Sequence, residues 1–143
     1  MAIFKKWTVV TLIMIVFLSS CTVKEIHEEY VDSYTQSYTV FKKGWKVGTD
    51  SDSGDYFYYE FREPNLTQYI YENGIMQAFL VMNDGNLTPL PFNDYWREND
   101  YMWTEQVTCE FRPGYVTFIL KYSDYELGMD PHYDYTFRVR FLW

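Results

Sequence analysis

The pattern of apolar and polar positions is sharpest in the last third of the chain. From Glu105 to Phe111 it alternates strictly. Val107, Cys109 and Phe111 fall on one side, and Gln106, Thr108 and Glu110 on the other. Alternation of period two predicts a β-strand with one dry face. Arg112-Pro113-Gly114-Tyr115 follows. Proline presets the second turn position and glycine accepts positive φ at the third, so a type II turn is expected. Tyr115 to Tyr122 then places Val116, Phe118, Leu120 and Tyr122 on one face. Ile119 lies on the other face, which predicts a more central strand. The two strands form a hairpin. The final run puts Tyr133, Tyr135, Phe137, Val139 and Phe141 on one side and Asp134, Thr136, Arg138 and Arg140 on the other. It reads as an integral strand of the sheet.

Upstream the runs are shorter. Strands are expected over Tyr34 to Phe41, over Tyr56 to Arg62 with Phe57, Tyr59 and Phe61 inward, and over Ile75 to Met82. Lys43-Gly44-Trp45 and Asn83-Asp84-Gly85-Asn86 read as turns. Asn73-Gly74 carries the dipeptide that most often closes a two-residue hairpin. Thr67 to Tyr71 fits either a strand or one helical turn, since Leu66 and Ile70 are four apart. About seven short strands at close intervals, without a 10-residue amphipathic helix, predict an all-β fold. The expected architecture is an antiparallel β-sandwich or partly open barrel spanning 33–143.

The start of the chain follows a different rule. Lys5 and Lys6 precede the apolar run from Trp7 to Leu18. That run is shorter than the roughly 20 apolar residues that span a bilayer. A basic start, an apolar stretch and small residues are the layout of an export signal. Leu18-Ser19-Ser20-Cys21 resembles the bacterial lipobox. The resemblance implies a signal peptide over 1–20, cleavage before Cys21, and lipid attached to Cys21. Thr22 then stands where lipoproteins retained at the inner membrane carry Asp, which implies the outer membrane. Lys24-Glu25-Ile26-His27-Glu28-Glu29 resembles the acid-rich surface-export signal of Bacteroidetes-type lipoproteins. A solvated tether is the simpler reading of the same residues, because like charges extend a linker. Either way 21–32 forms a lipidated tether outside the core.

Composition narrows the partners. Of 143 residues, 12 are Lys or Arg and 20 are Asp or Glu, for a net charge of −8. Losing Lys5 and Lys6 with the signal peptide would take it to −10. Such acidity disfavours nucleic acid and anionic lipid surfaces as partners. The two cysteines are Cys21 and Cys109. With Cys21 lipidated, Cys109 has no partner within the chain, and it reads as a small core residue.

The order of signals resembles a group of small Bacteroidetes-type outer-membrane lipoproteins. The residues that carry the likeness are Cys21, Trp45, Tyr56 to Phe61, Pro64-Asn65-Leu66-Thr67, Gly74, Leu90-Pro91-Phe92 and Tyr135 to Phe141. The resemblance implies a β-rich, lipid-anchored envelope domain at the cell surface. It brings no catalytic residues.

Candidate chemistry is sparse. Asp50-Ser51-Asp52-Ser53-Gly54-Asp55 does not fit an EF-hand, which needs an oxygen ligand at position five, Gly at six and Glu at twelve. It reads as a polar loop rather than a looser calcium site. His27 lies in the tether. His132 sits beside Asp130 and Asp134 and reads as a surface loop residue, so no metal site is expected. No spacing of carboxylates supports a glycosidase pair. No cofactor is expected, and a small hydrolase is the weakest reading. The richest stretch is Asn93 to Thr104, NDYWRENDYMWT. There Tyr95, Trp96, Tyr101 and Trp103 interleave with charged residues. Rings stack on the apolar faces of sugars, and flanking polar groups bond hydroxyls, which makes these four a candidate glycan-binding surface. The competing reading is that the rings cover the open end of the sandwich. The expected role is non-enzymatic binding of a glycan, or membership of an envelope protein assembly.

Overall fold

The structure is a computed structural model, and it describes residues 31–52, 54–123, 127 and 131–143. The expected signal peptide, Cys21 and His27 lie outside the described residues. Among the described residues, nine strands and one short helix follow in order: β1 (Ser33–Val40), β2 (Lys46–Asp50), β3 (Gly54–Arg62), α1 (Gln68–Asn73), β4 (Ile75–Val81), β5 (Leu87–Pro89), β6 (Phe92–Glu98), β7 (Tyr101–Arg112), β8 (Tyr115–Tyr122) and β9 (Tyr135–Leu142). They form two open antiparallel sheets, ordered β1-β9-β4-β5 and β2-β3-β8-β7-β6. The fold is a β-sandwich and not a closed barrel.

The sheets meet through side chains that alternation places inward. The Phe118 and Phe137 rings stack across the interface at 3.8 Å and 8°. Val40, Val107, Val116, Leu120 and Val139 close around them and are fully buried. Tyr38 of β1 reaches across to Phe61 of β3 at 4.9 Å and to Phe118 at 5.7 Å. β8 and β9 are interior strands of their sheets. This explains why Ile119 is buried although it faces away from the sheet interface. The regular strand β9 begins at Tyr135, two residues later than the alternation suggests.

The β7–β8 hairpin turns at Pro113-Gly114, with Gly114 at φ +80°. That conformation is open to glycine and costly for a residue with a Cβ. The Asn73-Gly74 signal is corrected by the structure: it ends α1 and forms no hairpin. Thr67 caps the helix, its Oγ1 accepting from the Ile70 amide at 3.3 Å. The Gly74 amide donates to the Ile70 carbonyl at 2.8 Å. Glycine stands there for space. A Cβ would lie 2.6 Å from the Ile70 carbonyl oxygen and 2.8 Å from that of Leu142. The helical alternative for Thr67 to Tyr71 therefore holds, because burial of Leu66 and Ile70 needs their four-residue spacing on one face.

A buried acid fixes the turn that leads into this helix. The Tyr38 hydroxyl donates to Glu63 Oε2 at 2.6 Å, and Glu63 Oε1 accepts from the Asn65 amide at 3.1 Å. Burial, then the bond to Glu63, pushes the Tyr38 hydroxyl well above the ordinary tyrosine range. Cys109 is half-buried at the margin of the core. Burial, helped by Glu110, raises its thiol, so it stays protonated and unreactive at neutral pH.

Candidate functional site

Asn93 to Thr104 forms a hairpin. β6 pairs with β7 from Phe92↔Val107 to Glu98↔Tyr101. Two residues, Asn99 and Asp100, make the turn, and Asn99 takes φ +54°. Asparagine is among the residues that tolerate that conformation. β8 pairs with β7 only as far as Glu105↔Tyr122. The hairpin thus runs past the end of its neighbour, and the rings of its last turns need other cover.

Three of the four residues singled out from the sequence come together there. Trp96 and Trp103 are cross-strand partners with rings 6.4 Å apart at 12°. Tyr101 lies 5.8 Å from Trp103. The fourth, Tyr95, is separated from them. It sits one residue from Trp96, so the pleat sends it to the outer face, where it is 79% exposed.

The segment before β9 completes the cluster. The His132 ring stacks on Trp96 at 4.8 Å and 30°, and lies 6.2 Å from Trp103. Tyr133 lies 5.7 Å from Trp96. His132 is therefore a half-buried wedge among aromatic rings, not the free surface residue expected from its loop. Tyr133 and Tyr135 continue the rings inward to Phe137, linking the cluster to the core. Trp96 and Trp103 are half-buried, while Tyr101 is 52% and Tyr133 is 50% exposed. Sequence reasoning missed Tyr133 as a member of the surface. It read Tyr133 as the first inward residue of the last strand, and the strand starts later.

A second feature lies beside the cluster and was also missed. Glu105 is 2% exposed. By parity it shares the face of Val107 and Cys109, so a charged residue in phase with a dry stripe was the available signal. Tyr135 Oη donates to its Oε1. Its Oε2 is buried without a hydrogen-bond partner. The carboxyl lines a cavity of ≈ 180 Å³ together with Phe92, Asp94, Tyr133, Asp134 and Tyr135. Burial holds the Glu105 carboxyl above its ordinary range, and the Asp94 charge adds to this. The Tyr135 bond, His132 and Tyr122 oppose the rise. The same contact acts on the partner: burial and the Glu105 charge push the Tyr135 hydroxyl far above the tyrosine range.

The polar loop reading of Asp50 to Asp55 holds only in part: Asp50 ends β2, Gly54 and Asp55 open β3, and Asp50↔Gly54 and Thr49↔Asp55 are paired, so the run is the tip of the β2–β3 hairpin. The Asp52 amide donates to Asp50 Oδ1 at 2.9 Å, and Thr49 Oγ1 donates to Asp55 Oδ1 at 2.7 Å. Among the described residues, no group of three or more His, Cys, Asp or Glu side chains is arranged to hold a metal ion. Comparison of the chain with protein-family models, curated proteins and solved structures finds no match.

Proposed function

We propose that this chain is a lipid-anchored outer-membrane protein of the cell envelope, and that its β-sandwich binds a glycan without catalysis through the end of the β6–β7 hairpin. The observation that carries the reading is the placement of Tyr101 and Tyr133 on one aromatic cluster. Both rings are about half exposed, yet both rest on a packed layer formed by Trp96, Trp103 and His132. Rings held in place by other rings lose little conformational freedom when a ligand stacks on them. Glu98, the cross-strand partner of Tyr101, and Asp100 in the turn supply hydrogen-bonding groups for hydroxyls. The anchor part of the proposal rests on the Lys5 to Cys21 pattern. Among the described residues no helix is long and apolar enough to cross a membrane.

The test is a glycan-array screen of the purified protein with Tyr101→Ala beside it. The structure alters the choice of variant. Trp96 and Trp103 hold the cluster together, so their removal confounds binding with folding. Tyr101 sits at the exposed end of the cluster, and its loss should leave the sandwich intact.

Assembly with another envelope protein is the second reading. It is favoured by exposed apolar side chains away from the hairpin, at Phe41, Val47 and Ile75. A stable partner recovered after crosslinking in intact membranes would support it, and recovery of monomer alone would count against it.

A further inference from the structure

The cavity beside Glu105 has chemistry that the glycan reading does not use. A buried carboxylate oxygen with no hydrogen-bond partner is costly, because it has lost its water and gained nothing. Glu105 Oε2 has no hydrogen-bond partner of good geometry, although the Tyr122 hydroxyl approaches the carboxyl. Asp94 is its cross-strand neighbour, so two carboxyls face the same space. Asp134 stands at the wall as well, with Oδ1 already accepting from the Lys42 amide at 2.8 Å. None of the ten described residues that line the cavity is Lys or Arg. Its remaining walls are aromatic and aliphatic, from Phe92, Tyr133, Tyr135 and Leu80.

A group that satisfies this cavity must donate hydrogen bonds and carry positive charge. Donation completes Glu105 Oε2, and the positive charge between Asp94 and Glu105 favours the ionised carboxyl that burial otherwise disfavours. The ring faces add cation–π attraction. A metal ion is a poor fit, because among the described residues the acidic side chains do not converge as a ligand set. The volume of ≈ 180 Å³ is enough for a small organic cation. We propose that this cavity binds a primary ammonium group, with Glu105 and Asp94 as its acceptors and Tyr133 and Tyr135 as its aromatic walls. Such a group is carried by a lysine side chain or by an amino sugar. The cavity shares Tyr133 with the proposed glycan surface, but Glu105 and Asp94 belong to the cavity alone and Tyr101 does not line it, so Glu105→Gln and Tyr101→Ala separate the two proposals.

The experiment is an amide NMR titration of the purified full chain with n-butylammonium chloride, with 1-butanol and tetramethylammonium as controls. The expected result is saturable shifts at Asn83, Asp94 and Glu105 with n-butylammonium, none with 1-butanol, and weaker binding of tetramethylammonium, which keeps the charge but cannot donate a hydrogen bond to Glu105. Tetramethylammonium carries the charge without N–H donors, and 1-butanol the shape without the charge. Glu105→Gln should weaken the binding by about tenfold or more, in line with loss of one charged acceptor. Absence of saturable shifts, equal response to 1-butanol, or unchanged affinity in Glu105→Gln would overturn the proposal. If Glu105→Gln does not fold, Asp94→Asn decides: weakened binding supports the site, and unchanged binding overturns it. Titration with an N-acetyl-lysine amide and with glucosamine then separates the two sources by which one binds more tightly. Tyr101→Ala should bind n-butylammonium as the parent does.

Discussion

Glu105→Gln should flatten the dependence of stability on pH. Glu105 is almost fully buried, and its carboxyl is held above the ordinary value near 4.5, chiefly by desolvation. Below that value both the folded and unfolded chains carry the proton, and Glu105 contributes no pH dependence. Above it the unfolded chain releases the proton while the folded chain keeps it. The folded state then binds more protons, so stability falls as pH rises towards the folded value. One proton gives a limiting slope of about 1.4 kcal/mol per pH unit. Asp94, His132, Asp134, Tyr122 and Tyr135 surround the group and remain in both proteins. The difference between parent and variant therefore isolates Glu105. Glutamine keeps the acceptor for the Tyr135 hydroxyl and cannot ionise. Urea denaturation at several pH values from about 4 to 8 measures the difference. The variant should gain on the parent as pH rises, with the gain levelling off once the folded carboxyl ionises. A difference that is constant over this range, or one that turns against the variant as pH rises, would refute the assignment of a raised Glu105.

Three further outcomes follow from the structure. Phe137→Ala should cost about 3–5 kcal/mol in urea denaturation, because it empties a fully buried site stacked on Phe118, and a cost under about 1 kcal/mol would contradict that interior. Thr67→Ala should lower stability by about 1 kcal/mol through loss of the α1 cap, and Thr67→Ser should restore it. Cys21→Ser should abolish incorporation of labelled fatty acid into the protein in cells and release it from the membrane fraction, and continued labelling would remove the lipid-anchor proposal.

Much of the sandwich was legible because its interior strands obey period two. β7, β8 and β9 each present a dry face, and Ile119 betrays the centrality of β8 by being apolar on the second face. β2, β5 and β6 were not marked, and all three are edge strands. An edge strand is wet on more sides, so its sequence carries a weaker alternation. In β6 the inward positions are Phe92, Asp94, Trp96 and Glu98, a mixture that reads as a loop. The same mixture hid the cavity. Asp94 looks like an ordinary surface acid until the β6–β7 register sets it beside Glu105, whose place in phase with a dry stripe was the available signal. The Asn73-Gly74 dipeptide misled because it was read for its turn geometry, whereas close backbone approach is what demands glycine at 74. The aromatic cluster was partly legible. Trp96, Tyr101 and Trp103 are near in sequence, but Tyr95 is sent outward by the pleat, and His132 and Tyr133 arrive from a distant segment that no local pattern could attach.

The most direct test of the proposed role is glycan binding by the purified protein on an array, with Tyr101→Ala measured beside it after its fold has been checked by circular dichroism. The proposal predicts a saturable hit that weakens by about 1–2 kcal/mol, or roughly tenfold, when the exposed ring is removed. Binding that persists unchanged in folded Tyr101→Ala, or an array on which the parent binds nothing, would contradict it.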